Sequence, residues 1–91
     1  MEFEWDIGNS SKSLKKHRVT DQEAEEAFFD QYKVQFTDAI HSQSEERFIL
    51  IGRSNSKKIL YIAYTIRKNK VRIISARILN KKEQYLYEKG T

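Results

Sequence analysis

Five arginines bound three apolar runs in the second half of the chain. Arg47 and Arg53 flank residues 48–52, Arg67 closes residues 59–66, and Arg72 and Arg77 frame residues 73–76. A guanidinium presents a fixed fork of donors that matches two oxygens of a phosphate. Greasy strands with arginines at their mouths therefore describe a folded platform that handles phosphate. Lys16 and His17 stand together in the first half, and imidazole titrates near neutral pH, so His17 is a candidate general acid or base. Taken alone, its plainest role is that of a cation at a helix C-terminus. His41 sits in a polar stretch and reads as exposed surface. Two distant histidines and no cysteine do not make a zinc site. Gly8, Gly52 and Gly90 are too scattered to form a phosphate loop. No metal and no cofactor is implied. A nuclease built from such residues would use the 2′-hydroxyl of RNA as its nucleophile. It would need only a base, an acid and cations around the phosphorane.

The elements that must position these groups follow from pattern. Glu2-Phe3-Glu4-Trp5 alternates as a short half-buried strand, and residues 9–17 read as a helix. Thr20-Asp21-Gln22-Glu23 is a capping box opening a second helix over 21–29. Its Asp21, Glu23, Glu25 and Glu26 read as a solvated, dipole-matched helix face rather than a metal site. Residues 33–36 form a brief strand and 37–44 a loop. Two hairpins follow, turning through residues 54–57 and through Lys68-Asn69-Lys70, where Asn tolerates left-handed backbone. Asn80-Lys81-Lys82-Glu83 is a further capping box, starting a last helix over 81–88 with Gly90 past its end.

The expected architecture is α+β: an N-terminal strand and two helices, an antiparallel three- to four-stranded meander sheet with helices on one face, and a C-terminal helix. Strand parity puts Tyr61, Ala63, Thr65 and Arg67 on one face, the more polar and more open one. It puts Arg72 and Arg77 on opposite faces. It leaves open which arginines converge.

Residues 1–91 read as one domain whose core is small but sufficient. No long apolar run and no basic-then-apolar start is present, so no membrane span or secretion signal is visible. Residues 1–46 hold five Lys+Arg against eleven Asp+Glu, and residues 47–91 hold twelve against two. The balances of −6 and +10 point to a polyanion on the basic half and a separate partner elsewhere.

At these residues the chain resembles the BrnT family of bacterial toxins from type II toxin–antitoxin modules. The likeness runs through Phe3-Glu4-Trp5-Asp6, Lys16-His17 with Val19, Glu23-Ala24, Glu45-Glu46-Arg47-Phe48 with Ile51-Gly52, and Tyr64-Thr65 with Arg67. It continues through Arg72-Ile73-Ile74-Ser75-Ala76-Arg77 and through Glu83 with Tyr87-Glu88. The resemblance implies a RelE-like ribonuclease fold, RNA cleavage that halts translation in the bacterial cytoplasm, and a BrnA-type antitoxin. That antitoxin would carry a ribbon-helix-helix part, so operator DNA is contacted only through it. The resemblance also implies His17, Arg67 and Arg77 as catalytic residues, with Lys16, Arg47, Arg53 and Arg72 binding RNA phosphates. The family usually has Gly after Lys-His where this chain has Arg18, which implies a different helix end there. A non-catalytic nucleic-acid-binding module, acting only as a co-repressor with the antitoxin, is the alternative. A toxin-like scaffold that poisons a protein target is another.

Overall fold

Left-handed backbone at Lys68 (φ 52°) and Asn69 (φ 66°) reverses the chain within that pair. Such a turn matches the natural twist of paired strands. It joins β4 (Ile59–Arg67) to β5 (Lys70–Ile78). An earlier reversal, with Lys57 at φ 69°, joins β3 (Phe48–Arg53) to β4. In this computed structural model residues 2–5, 17–40, 42 and 44–89 are described. The remaining elements are β1 (Glu2–Glu4), α1 (Asp21–Ala27), β2 (Val34–Thr37), and a 3-10 turn (Lys81–Glu83) running into α2 (Gln84–Lys89).

The sheet has five strands in the order β1-β5-β4-β3-β2. It is larger than the expected meander, and it is mixed. β2 to β5 pair antiparallel, whereas β1 lies parallel to β5, with Phe3 opposite Val71. Alternation in Glu2-Phe3-Glu4 marks a strand but carries no information on its partner or direction. Of the two expected N-terminal helices, α1 is present. The one expected over 9–17 lies outside the described residues except at His17, as does His41.

Helices cover both faces, not one. Ala24, Ala27 and Phe28 of α1 and its C-terminal end pack with Val19 on Leu50, Leu60, Ile62, Tyr64, Val71, Ile73 and Ala76. Phe28 meets Phe3 and Tyr64 edge-on, at centroid distances of 5.2 and 5.0 Å. On the other face, Leu86 and Tyr87 of α2 pack against Ile49, Ile51 and Leu79. Each fully buried aliphatic side chain contributes about 1.5–3 kcal/mol. Gly52 lets α1 approach closely, because a Cβ there would run into the Ala27 carbonyl. No helix among the described residues is long and apolar enough to cross a membrane.

Candidate functional site

The register of β4 and β5 slips by one residue. Ala63 pairs with Ser75, but Tyr64 pairs with Ile73, leaving Ile74 as a β-bulge. An extra residue reverses strand parity beyond it. Arg72 faces the same side as Thr65, and Arg77 the same side as Tyr61, so both arginines lie on the face opposite α1. The expected placement on opposite faces is overturned by the bulge. Between them lie Ser75, which is exposed, and its cross-strand partner Ala63. Arg67 and Arg53 share this face by the alternation of β4 and β3. The structure thus gathers Arg53, Arg67, Arg72 and Arg77 on one side of the sheet.

Their settings differ. Arg77 Nη1 and Nη2 each donate to one Glu83 oxygen at 2.7 Å, and its Cζ stacks 4.1 Å above the Tyr61 ring centroid. The Glu83 hydrogen bond raises the Arg77 pKa, and Arg77 in turn holds the Glu83 carboxyl below its ordinary value. Arg67 donates Nε and Nη2 to a single Glu45 oxygen at 3.2 and 2.9 Å, in a pair whose side chains are 47% and 39% exposed. Exposed pairs of this kind contribute about 0–1 kcal/mol. Arg53 borders a cleft of about 380 Å³ shared with Tyr32, Lys57 and Tyr87, and its amide donates to Asp30. Arg47, half-buried, precedes β3 and is tied through its backbone to Ser42 and Asp38. Lys16 lies outside the described residues.

The polar face is less open than its composition suggests. Thr65 is only 1% exposed and donates its hydroxyl to the Glu46 carbonyl. Tyr61 is half-buried, and burial, with the charges of Asp38 and Glu83, pushes its phenol pKa up against the opposing pull of Arg77.

His17 is located through its neighbours, at the end of β4 nearer Arg77, which pairs with Tyr61. The carbonyl of its neighbour Arg18 accepts a hydrogen bond from Lys58 Nζ at 3.1 Å, next to the start of β4, and Val19 enters the core on the α1 side. Arg67 lies at the other end of β4, about 26 Å from Ile59 at ~3.3 Å per residue. Arg18 itself adopts φ 58°, so left-handed backbone is kept here with arginine in the position. The different end expected from the loss of Gly does not occur.

The α1 carboxylates are fasteners rather than a solvated face. Trp5 Nε1 donates to Glu25 at 2.6 Å, and the Asn55 amide donates to Glu26 at 3.0 Å. Glu23 closes the Thr20 capping box and accepts from Ser56 and Lys58. Among the described residues no three His, Cys, Asp or Glu side chains come together as metal ligands would. Strand parity places Tyr61 on this face without a role, and sequence reasoning passes over Ser75 and Glu83 as parts of it. Only Glu83 left a local signal, its capping box, and that signal said nothing of Arg77.

No curated protein matches the chain. A model of the family described as "Ribonuclease toxin, BrnT, of type II toxin-antitoxin system" matches residues 5–83. The matched span holds α1, β2 and the three strands that carry the arginine face, and with it the chain belongs to the BrnT family of ribonuclease toxins.

Proposed function

We propose that this protein is a metal-independent endoribonuclease toxin with a RelE-like fold, which cleaves RNA in the bacterial cytoplasm and so inhibits translation. The observation that carries this reading is the bulge at Ile74, which sets Arg72 and Arg77 on one face either side of exposed Ser75. In this reading the RNA 2′-hydroxyl attacks the adjacent phosphate. Arg77 stabilises the charge that builds on the phosphorane, and Arg67, about 20 Å along β4 from the Tyr61 that pairs with Arg77, holds the charge of another phosphate of the bound strand. Arg47, Arg53, Arg72 and Lys16 hold neighbouring phosphates. Tyr61, kept protonated by its burial, supplies a proton. His17 is the base of this reading, taking the 2′-hydroxyl proton while Tyr61 protonates the leaving 5′-oxygen.

The partner in this reading is a BrnA-type antitoxin. An acidic segment of it covers the arginine face, because complementary charge steers and registers such contacts. Its ribbon-helix-helix part contacts operator DNA for the complex.

Incubating the purified chain with labelled RNA tests the proposal. Fragments should form equally with and without chelator, and Arg77→Ala and His17→Ala should each slow cleavage at least about 100-fold. RNA left intact by the folded wild-type chain sinks the nuclease reading. The pairing of Arg67 and Arg77 with carboxylates of their own chain favours a second reading, a module that binds nucleic acid without cutting it. Salt-dependent binding with no cleavage selects that one.

A further inference from the structure

We propose that Glu83 and Tyr61 act through Arg77 as positioning residues, holding its guanidinium so that one fork of donors stays open to a phosphate of the substrate. A guanidinium carries five N–H donors, two on each Nη and one on Nε. Nη1 spends its two on Glu83 Oε1 at 2.7 Å and, weakly, on the Ile78 carbonyl at 3.5 Å. Nη2 spends one on Glu83 Oε2 at 2.7 Å. Among the described residues, what remains is the Nε–H and the second Nη2–H. These lie side by side on one edge and point the same way, which is the geometry that grips two phosphate oxygens.

Two restraints fix that edge in space. The Tyr61 ring centroid lies 4.1 Å from the guanidinium carbon, and the ring sets the guanidinium plane. Glu83 sets its rotation in the plane and is itself anchored to backbone. The Glu83 amide donates to Asn80 Oδ1 at 3.0 Å, and the Asn80 amide donates to Glu83 Oε1 at 3.2 Å. The capping box that starts the final helix is therefore also the mount of Arg77. Arg67 shows the contrast. Its Nε and Nη2 edge is the one already given to Glu45, and nothing among the described residues stacks on its plane. Of the two, Arg77 is pre-aimed. A donor that needs no reorientation when charge develops is worth more in the transition state than a mobile one.

The catalytic meaning of this inference rests on the ribonuclease reading, but its test does not. Glu83→Gln is the probe, because Gln serves equally in a capping box while losing the charge that holds Arg77. Two quantities are measured: kcat/KM on a labelled RNA, and Kd for the same sequence with 2′-deoxyribose. The variant is compared in the wild-type background and in Arg77→Lys, which keeps the charge and removes the fork. We expect a loss of about tenfold in both quantities in the wild-type background and no further loss in Arg77→Lys. A tenfold loss that persists in Arg77→Lys, or no loss in the wild-type background, overturns the proposal. If the wild-type chain binds but does not cut, the same non-additivity in Kd upholds the positioning role while the nuclease reading fails. Should Glu83→Gln not fold, Tyr61→Leu leaves the cap intact and enters the same cycle read by Kd alone, because Tyr61 is also the proton donor of the proposed reaction. Tyr61→Phe, which keeps the ring under Arg77, should restore the wild-type Kd.

Discussion

Replacing Glu23 with Gln should cost this protein about 3 kcal/mol at neutral pH. The side chain is 13% exposed. Such burial alone would raise its pKa. Hydrogen bonds from Ser56, the Thr20 amide and Lys58, with the Lys58 charge, reverse that and lower it from 4.5 to about 2. A carboxyl with a depressed folded-state pKa is ionised in the native state before the unfolded chain gives up its proton. Its stabilisation is complete above pH ~4.5 and disappears as pH falls towards ~2. At ~1.4 kcal/mol per pH unit, the gap between the two values gives about 3 kcal/mol. Gln keeps the capping box, but its amide group meets Lys58 as donor to donor. For a domain of this size the loss corresponds to a fall in Tm of about 12–20 °C. Urea denaturation followed by Trp5 fluorescence suits the measurement, because Trp5, the one tryptophan, is tied to α1 through Glu25. The difference between wild type and Glu23→Gln should be constant above pH 5 and should shrink towards zero near pH 2. Asp30 and Glu83, also held below their ordinary values, titrate alike in both proteins and cancel from the difference. A difference under about 1 kcal/mol at pH 7, or one that does not change with acid, would refute the reasoning.

Three further outcomes are expected. Arg18 holds a β-carbon at φ 58°. Left-handed backbone of this kind costs a non-glycine residue about 1–2 kcal/mol. Arg18→Gly should therefore raise stability by about 0.5–1 kcal/mol, since the looser unfolded chain takes back part of the gain; a lower Tm would count against it. Gly52→Ala should destabilise by about 2–3 kcal/mol in the same urea assay. The new methyl meets the backbone oxygen of Ala27 rather than a movable side chain, and an unchanged midpoint would show that α1 shifts freely. Tyr87→Phe removes a 2.6 Å hydrogen bond to the Asp30 carboxylate. Losing a bond to a charged group should cost about 1.5–3 kcal/mol. Burial and that bond raise the Tyr87 pKa to about 12, so spectrophotometric titration should find one tyrosine ionising near that value.

What the chain discloses locally was readable, and what it discloses only by long-range contact was not. Both capping boxes are short local patterns, and both form. The Lys68-Asn69 turn is likewise a local matter of left-handed tolerance. The bulge is different. In Arg72-Ile73-Ile74-Ser75-Ala76-Arg77 every residue suits a strand, so nothing marks Ile74 as the one without a partner; that is decided by Tyr64 and Ala63 across the ladder. The carboxylates of α1 failed for the same reason. Glu26 and Glu23 find Asn55 and Ser56 at separations of 29 and 33 residues, and helix periodicity is blind to them. Arg18 carried a signal of another kind. The usual Gly pointed to a left-handed residue, and this chain holds the conformation at a steric cost instead of avoiding it.

The pairing of β1 with β5 has a consequence for how the protein comes into being. Phe3 sits opposite Val71, so the earliest of the described strands docks on the latest of them. At about 5–20 residues per second, β1 waits roughly 3–14 s for its partner to be made. The arginine face has the same schedule, because Arg72 and Arg77 both belong to β5. A nascent chain stopped anywhere before β5 lacks both of those guanidinium groups. The last antiparallel strand thus supplies both the closure of the sheet and the paired arginines of its candidate site, and neither exists until β5 has been synthesised.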